Sequence, residues 1–366
     1  MRDEAQAVFA IAFGLVDGIG PATARRLLSS FNGPQEVISA SKSALRATGV
    51  HAKVVDGLKD DRLLPFAKEE YRKLKKLGGG VDLLGTEGYP ERLSKCIDPP
   101  ILLYSKGSAD LNHPRTVAIV GTRKVTSYGR MICEMLIEGL SAYNVQIISG
   151  LAFGVDICAH RAALKHEVPT IGCLAHGLDR IYPGIHKPEA DRMMQEQGAL
   201  VTEYPFDTRP IRKNFPSRNR IIAGLADATV VIESAEKGGS IITARIASSY
   251  HREVFAVPGS LLNDQSIGTN ALIRNMEAQI LLDAKQLARE MGWEAKSSAV
   301  QQLSLNLELP EDQRKVCEVL QEHGTRHIDL LTHDLQDQVD QLAAVLLQME
   351  LSGIIRLLPG QRFCLA

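Results

Sequence analysis

Net charge is almost absent from this chain, since 42 Lys and Arg stand against 43 Asp and Glu, so the overall balance carries no footprint for a polyanion. Long apolar runs are missing too. Ala7–Val16 has the length of a signal-peptide core, but it follows Asp3 and Glu4 and runs straight into Asp17-Gly-Ile-Gly-Pro21. Nothing else approaches a membrane span. The six cysteines (Cys96, Cys133, Cys158, Cys173, Cys317, Cys364) form no CxxC pair and no zinc spacing, so they read as reduced core thiols of a cytoplasmic protein. No Walker A sequence and no Gly-x-Gly-x-x-Gly fingerprint occurs, which counts against ordinary ATP or NAD binding. Neither a nucleophile elbow nor paired catalytic carboxylates nor a Ser/His/Asp spacing stands out, so the sequence offers no convincing catalytic apparatus and points to no cofactor or metal.

What is present is length and alternation. With 366 residues, 45% of them hydrophobic, the chain can build two or three domains. Residues 1–80 hold 13 basic and 9 acidic residues and read as all-helical. Val8–Leu15 is an apolar helix, Gly18-Ile-Gly-Pro21 a tight turn, and Ala22–Phe31 a second helix with Pro21 at its first position. This is similar to a helix-hairpin-helix (SAM-like) domain, with Arg25 and Arg26 beside the glycine turn, and a weaker copy spans Leu45–Leu58 around Thr48-Gly49-Val50. A plain αα-hairpin explains the same glycines.

Residues 81–285 read as a second domain, in which the short apolar runs Val81–Leu84 and Ile101–Tyr104 flank the main sheet and strands and helices alternate regularly from Thr116. Val117–Val120, Val145–Ile148, Thr170–Leu174, Leu200–Glu203, Ala228–Ile232 and Val254–Val257 are apolar, β-rich runs, each but the last followed by a helical stretch, and this predicts a doubly wound parallel sheet. Lys285–Leu309 loses periodicity, so residues 286–310 read as a linker between two domains. Residues 311–366 then predict helices at Gln313–His323, near Ile328–Leu331 and at Gln338–Gly353, closed by strands Ile354–Leu358 and Arg362–Leu365 about Pro359-Gly360. That is a small winged-helix-like domain, acidic with 9 acids against 5 bases.

Candidate ligand-binding residues lie at strand ends, where open α/β sheets bind ligands. Arg123 follows the first strand, in Val120-Gly-Thr-Arg-Lys124, and can fork onto a phosphate. Arg209, Arg212, Lys213, Arg218 and Arg220 fall in a stretch without an acid, and the Gly238–Gly239–Ser240 turn opens a helix whose N–H groups can face an anion. Lys187 is either a phosphate contact or a solvated helix terminus, and Phe153 either stacks on a base or packs in the core. Asp156 and His160, four apart, read as a helix cap and a packed partner in preference to metal ligands.

The motifs as a set resemble the DNA-processing protein A family (DprA, also called Smf). They are Ile119-Val-Gly-Thr-Arg123, Ser149-Gly-Leu-Ala-x-Gly-Val-Asp156 with Ala159-His160, Gly177-Leu-Asp179, Tyr182-Pro183, Glu203-Tyr204, Phe215-Pro-x-Arg-Asn-Arg-Ile-Ile-Ala223, Gly239-Ser240, Val257-Pro-Gly259 and Gly268-Thr-Asn270. The resemblance implies an extended Rossmann fold that dimerises through that domain. It implies sequence-independent binding of single-stranded DNA and loading of the RecA recombinase onto it in natural transformation, without enzymatic activity. Carried onto this chain, the DNA site would comprise Arg123, Ser149, Gly150, Lys187, Lys213, Phe215, Arg218, Asn219, Gly239 and Ser240. Phe153 departs from the family's pattern. The alternative is a lysine-decarboxylase-like Rossmann enzyme cleaving nucleoside monophosphates, but such enzymes follow the glycine turn with a catalytic glutamate, and Ile241-Ile-Thr-Ala-Arg245 supplies none.

Overall fold

A computed structural model describes residues 4–295, 310–335, 339–352, 354–358 and 361–365. They fall into two compact units, one of the described residues up to 295 and one of those from 310 on. The larger is built on nine strands: β1 (Gly80–Leu83), β2 (Leu102–Gly107), β3 (Thr116–Val120), β4 (Gln146–Ser149), β5 (Thr170–Cys173), β6 (Ala199–Thr202), β7 (Ala228–Val231), β8 (Glu253–Ala256) and β9 (Gln279–Ile280). Their order is β1-β2-β6-β5-β4-β3-β7-β8-β9, parallel from β6 to β9, with β1 and β2 antiparallel at one end. The direction of winding reverses between β3 and β7, and this puts the topological switch point at their carboxyl ends.

Side chains of β3 alternate between two cores, as the pleat requires. Val117 and Ile119 face Leu136, Ile137 and Leu287, whereas Ala118 and Val120 face the core shared with Ile221, Ile222 and Phe13. Both faces are therefore covered, which is why the strands read as continuous apolar runs. The expected strands and their helices are present within a residue or two, as the doubly wound, extended Rossmann-like class requires. The short strand β9 and the helices Ile267–Arg274 and Ala284–Glu290 were not anticipated.

Two expected boundaries differ. Six helices between Glu4 and Leu77 form, but they do not stand apart from the sheet: Ile11, Phe13, Leu27 and Leu74 share one core with Leu102 and Tyr104 of β2. A Cβ on Gly14 would overlap the Leu102 side chain, so helix and strand touch backbone to side chain there. At the other end, the stretch taken as the start of a linker folds as helix Ala284–Glu290, because Ala284 and Leu287 fill the core beneath helix Ser127–Leu140. Both hairpins of the amino-terminal helices have their glycines at positive φ, Gly18 at 91° and Gly49 at 74°. The arginines beside the first turn are engaged, Arg26 Nη1 donating to Gly49 O (3.1 Å) and Arg25 Nη2 to Ser94 O (3.3 Å).

The smaller unit contains helices Glu311–His323, Ile328–Leu335 and Val339–Leu351 and a sheet of β10 (Arg326–His327), β11 (Ile355–Leu358) and β12 (Arg362–Leu365), ordered β10-β12-β11. Val316, Leu320, Leu331, Leu346 and Phe363 form its own core. This is the winged helix expected from the sequence. The Pro359-Gly360 turn lies outside the described residues. All six cysteines are free, and burial raises the thiol pKa of Cys173 to about 12. No helix among the described residues is long and apolar enough to cross a membrane.

Candidate nucleic-acid interface

The loop after β3 is tied down on three sides. Thr122 N–H donates to Glu233 O (2.7 Å) and its hydroxyl to Gln265 Oε1 (2.6 Å), while Thr122 O accepts from Val155 N–H (3.1 Å). Glu233, 1% exposed, accepts from both the N–H (2.9 Å) and hydroxyl (2.6 Å) of Thr126, and Thr126 in turn caps helix Ser127–Leu140 by accepting from Gly129 N–H (3.1 Å). Gly154, at φ 81°, lies against the Thr122–Arg123 backbone so closely that any Cβ would collide with it. These contacts leave Arg123 projecting into solvent, with no hydrogen-bond or ion-pair partner among the described residues. Its guanidinium sits over the Phe215 ring, 5.3 Å from the centroid.

Arg218 belongs to a different layer. Expected from the resemblance in the DNA site, it is only 4% exposed, and its Nη1 donates to the carbonyls of Gly150 and Cys173 at the ends of β4 and β5. Burial pulls the pKa of this guanidinium down, against the Asp156 carboxylate, which is itself pushed up by burial and held back by Arg218. Each of these buried charges favours the charged form of the other. Gly150 is needed between them, since a Cβ there would lie 2.5 Å from Asp156 Oδ2 and 2.6 Å from Arg218 Cζ. Arg218 thus pins two strand ends together and forms the floor of the site.

Other expected ligands are turned inward as well. The Ser149 hydroxyl donates to Ile119 O (2.6 Å), and the Ser240 hydroxyl to Ser234 Oγ (2.8 Å), both from buried residues, so neither side chain is presented to a ligand. Asn219 accepts from Arg218 Nε (3.3 Å). Lys187 is exposed but paired with Asp191 (2.7 Å). Lys213 is exposed at the start of helix Asn214–Leu225, with no side-chain partner among the described residues, and Gly239 opens helix Gly239–Ser249 into open space.

Arg123, Gly150, Phe215 and Arg218 line one shallow cavity, whereas Lys187, Asn219, Gly239 and Ser240 do not. Two aromatic residues complete it. Tyr182, 48% exposed, meets Phe215 edge-on with centroids 6.1 Å apart, and Phe153, 49% exposed, meets His186 at 5.0 Å. Phe153 is therefore at the surface rather than in the core. Tyr182 was legible only as an aromatic before a proline in a strand-end loop. The cavity holds about 30 Å³, far below the roughly 300–1,000 Å³ of sites that enclose small ligands. An open ledge of cations and ring faces can hold a polyanionic strand with its bases laid on the rings.

His160 is packed, as expected, with Nδ1 bonded to Thr170 Oγ1 (2.8 Å), and burial lowers its pKa to about 3. Asp156 accepts from Ala152 N–H (3.4 Å). Among the described residues no cluster of three or more His, Cys, Asp or Glu could hold a metal.

Comparison with known proteins agrees with this architecture. Residues 82–292 match the family model of DNA recombination-mediator protein A, and residues 301–361 match a DprA winged helix domain. The chain is 34% identical over 283 residues to protein Smf of Escherichia coli K12, covering 75% of this chain and 74% of that one. It is 41% identical over 186 residues to the DNA processing protein DprA of Streptococcus pneumoniae R6, covering 51% and 65%. The solved structure of DprA from Streptococcus pneumoniae matches with a TM-score of 0.66 at 30% identity, covering 78% of this chain and 98% of that one. A Helicobacter pylori DprA structure, described by its single-stranded DNA binding mode, matches with a TM-score of 0.54 at 30% identity, covering 59% and 97%. Strand order, winged helix and sequence thus agree, and the chain belongs to the DNA recombination-mediator protein A family, DprA or Smf.

Proposed function

We propose that this protein binds single-stranded DNA without sequence preference along the carboxyl edge of β3, β4 and β5, and loads RecA recombinase onto incoming strands in natural transformation. The observation that carries the DNA reading is the exposed Arg123 guanidinium over Phe215, with Tyr182 beside it and unpaired Lys213 at the next helix start. Arg123 and Lys213 neutralise phosphates, and the rings take bases of any identity, because every base has a π-face. Gly239, with the free N–H groups of its helix start, and Lys187 are further backbone contacts. RecA loading rests on membership of the family and on the resemblance that implies it. The six free thiols suit a reducing compartment, the cytoplasm.

A nucleotide-cleaving enzyme is disfavoured: the cavity, about 30 Å³, is too small to enclose a nucleotide, and the turn at Gly238–Ser240 is followed by no glutamate in Ile241–Arg245. For the homodimer, the support is an apolar edge: β9 is the last strand, and Ile280 on it, with Met276 and Leu282 close to it in sequence, are 41%, 92% and 69% exposed. The winged-helix unit we take as a protein-interaction module, because helix Val339–Leu351 carries no Lys or Arg to meet DNA phosphates.

The test is a binding series of the whole chain with oligo-dT, mixed-sequence single strands and duplex DNA at several salt concentrations, followed by RecA filament nucleation on the bound strand. Single strands should bind more tightly than duplex, with little difference between sequences. Duplex preference would remove the DNA reading. Nucleation no faster than on naked strands would remove the loading step alone.

A further inference from the structure

The basic loop that ends at Lys213 is held from an unexpected direction. Helix Leu63–Leu77, in the amino-terminal part, carries Glu70 and Lys73, three apart and so on one face. Both point to the loop between β6 and helix Asn214–Leu225. Glu70 is 1% exposed, and its Oε2 accepts the N–H of Phe206 at 2.9 Å. Lys73 reaches Asp207 Oδ2 at 2.7 Å. Asp207 sits in the left-handed region at φ 65°, which aspartate tolerates better than most non-glycine residues.

Asp207 and its neighbour Thr208 hold the other wall of the site. Asp207 N–H donates to Asp179 Oδ1 (3.0 Å), Asp179 pairs with Arg180 (2.6 Å), and Gly177 N–H donates to Thr208 O (3.2 Å). One connected set of contacts therefore runs from helix Leu63–Leu77 to the loop bearing Arg209, Arg212 and Lys213, and to the 177–182 segment that leads to Tyr182. Asn214 carries it on, its Nδ2 donating to Ala175 O (3.1 Å) immediately before Phe215. A buried carboxylate is a costly way to attach a helix, since an apolar contact would dock it more simply. What the carboxylate does that an apolar group could not is give the buried Phe206 N–H an acceptor and so fix the loop's backbone at that point.

We propose that Glu70 is a positioning residue for the single-strand site, with Lys73 as its partner, so that helix Leu63–Leu77 is a strut of the DNA edge and not a separate module. The inference rests on the DNA reading given above, but its first consequence appears without DNA. In Glu70→Ala, Phe206 N–H loses its acceptor, and the backbone of 206–213 and 177–182 is released. Glu70→Gln keeps a carbonyl oxygen in place and should behave as the unsubstituted protein.

The experiment uses the whole chain in four forms: unsubstituted, Glu70→Ala, Glu70→Gln and Arg123→Ala, with Lys73→Ala replacing Glu70→Ala if that variant does not fold. Hydrogen–deuterium exchange of the free protein should accelerate in 206–213 for Glu70→Ala only. Its oligo-dT affinity should fall roughly tenfold, as the loss of one buried hydrogen bond implies. The slope of log K against log salt should flatten by about 0.7 for each loop cation that loses its phosphate. A docking role alone would lower the melting temperature and leave that slope unchanged. Unchanged exchange in 206–213 overturns the inference, as does unchanged DNA affinity in Glu70→Ala when Arg123→Ala weakens binding. If neither variant changes DNA binding, the site itself has been misplaced and the inference falls with it.

Discussion

The Arg123 guanidinium lies 5.3 Å from the centroid of the Phe215 ring, bringing the loop after β3 against the first turn of the helix that follows the basic loop. Charge and ring face are offered to solvent together, while Arg218, three residues beyond Phe215 and of the same type as Arg123, is sealed beneath them. The predictions separate these layers.

Arg123→Ala should weaken single-strand binding about equally for every base sequence and flatten the log K against log salt slope by about 0.7. Lys213→Ala should do the same, because its ammonium is exposed and unpaired among the described residues. Fluorescence anisotropy with labelled oligo-dT and a mixed sequence across a salt series reads both quantities. Unchanged slopes in both variants would place the groove elsewhere.

Phe215→Ala should cost binding about 1–3 kcal/mol with little change in salt slope, as loss of a base-stacking ring does. The ring is half-buried at the rim of the cavity, so the melting temperature should barely move. A melting temperature that falls in step with the lost binding would instead mark the ring as core.

Arg218→Ala should act on stability. It strips the donor from the Gly150 and Cys173 carbonyls and leaves the Asp156 carboxylate buried without its cation. Leaving a buried carbonyl without its donor costs about 1–3 kcal/mol, and a lysine in its place should not restore both bonds, since one compact ammonium lacks the guanidinium's fork. Urea midpoints of Arg218→Ala and Arg218→Lys check this, and a wild-type midpoint with a flattened salt slope would contradict it.

His160 should make the fold sensitive to mild acid. Burial holds its folded pKa at about 3, while the unfolded imidazole titrates near its ordinary value of 6.5. Above pH 6.5 neither state carries the proton, and the group contributes no pH dependence. Between about 6.5 and 3 the unfolded chain binds the proton and the folded chain does not, so stability falls with pH by up to about 1.4 kcal/mol per unit. His176, also lowered by burial, acts in the same direction. Urea unfolding at pH 7 and pH 5 should show a smaller loss in His160→Gln than in the unsubstituted protein, and equal losses would refute the assignment.

Much of the sheet was legible because its strands are covered on both faces. Ala228–Val231 is buried throughout, and burial on both sides demands an unbroken apolar, β-branched run that cannot be confused with an amphipathic helix. The loop at Arg123 was legible for a related reason, since a glycine and a cation directly after such a strand lie at the ligand-binding edge. Strand β9 was not, because two exposed residues, Gln279 and Ile280, leave no apolar pattern to recognise.

By itself the sequence determined the order of elements, the class of sheet and the edge at which cations gather, since these follow from local periodicity and from where charged residues fall between strands. Only the tertiary structure decided which cations are free. Arg123 and Arg218 have the same side chain and both sit near a strand or helix end, but pairing β4 with β5 brings the Gly150 and Cys173 carbonyls to one point, and that point needs a donor. It also decided that the helices of residues 4–77 share the sheet's core, and that Glu70 is buried rather than solvated. An acid on an amphipathic helix looks the same in sequence whether it meets water or the backbone of a loop more than a hundred residues away, because that partner exists only once the sheet has closed.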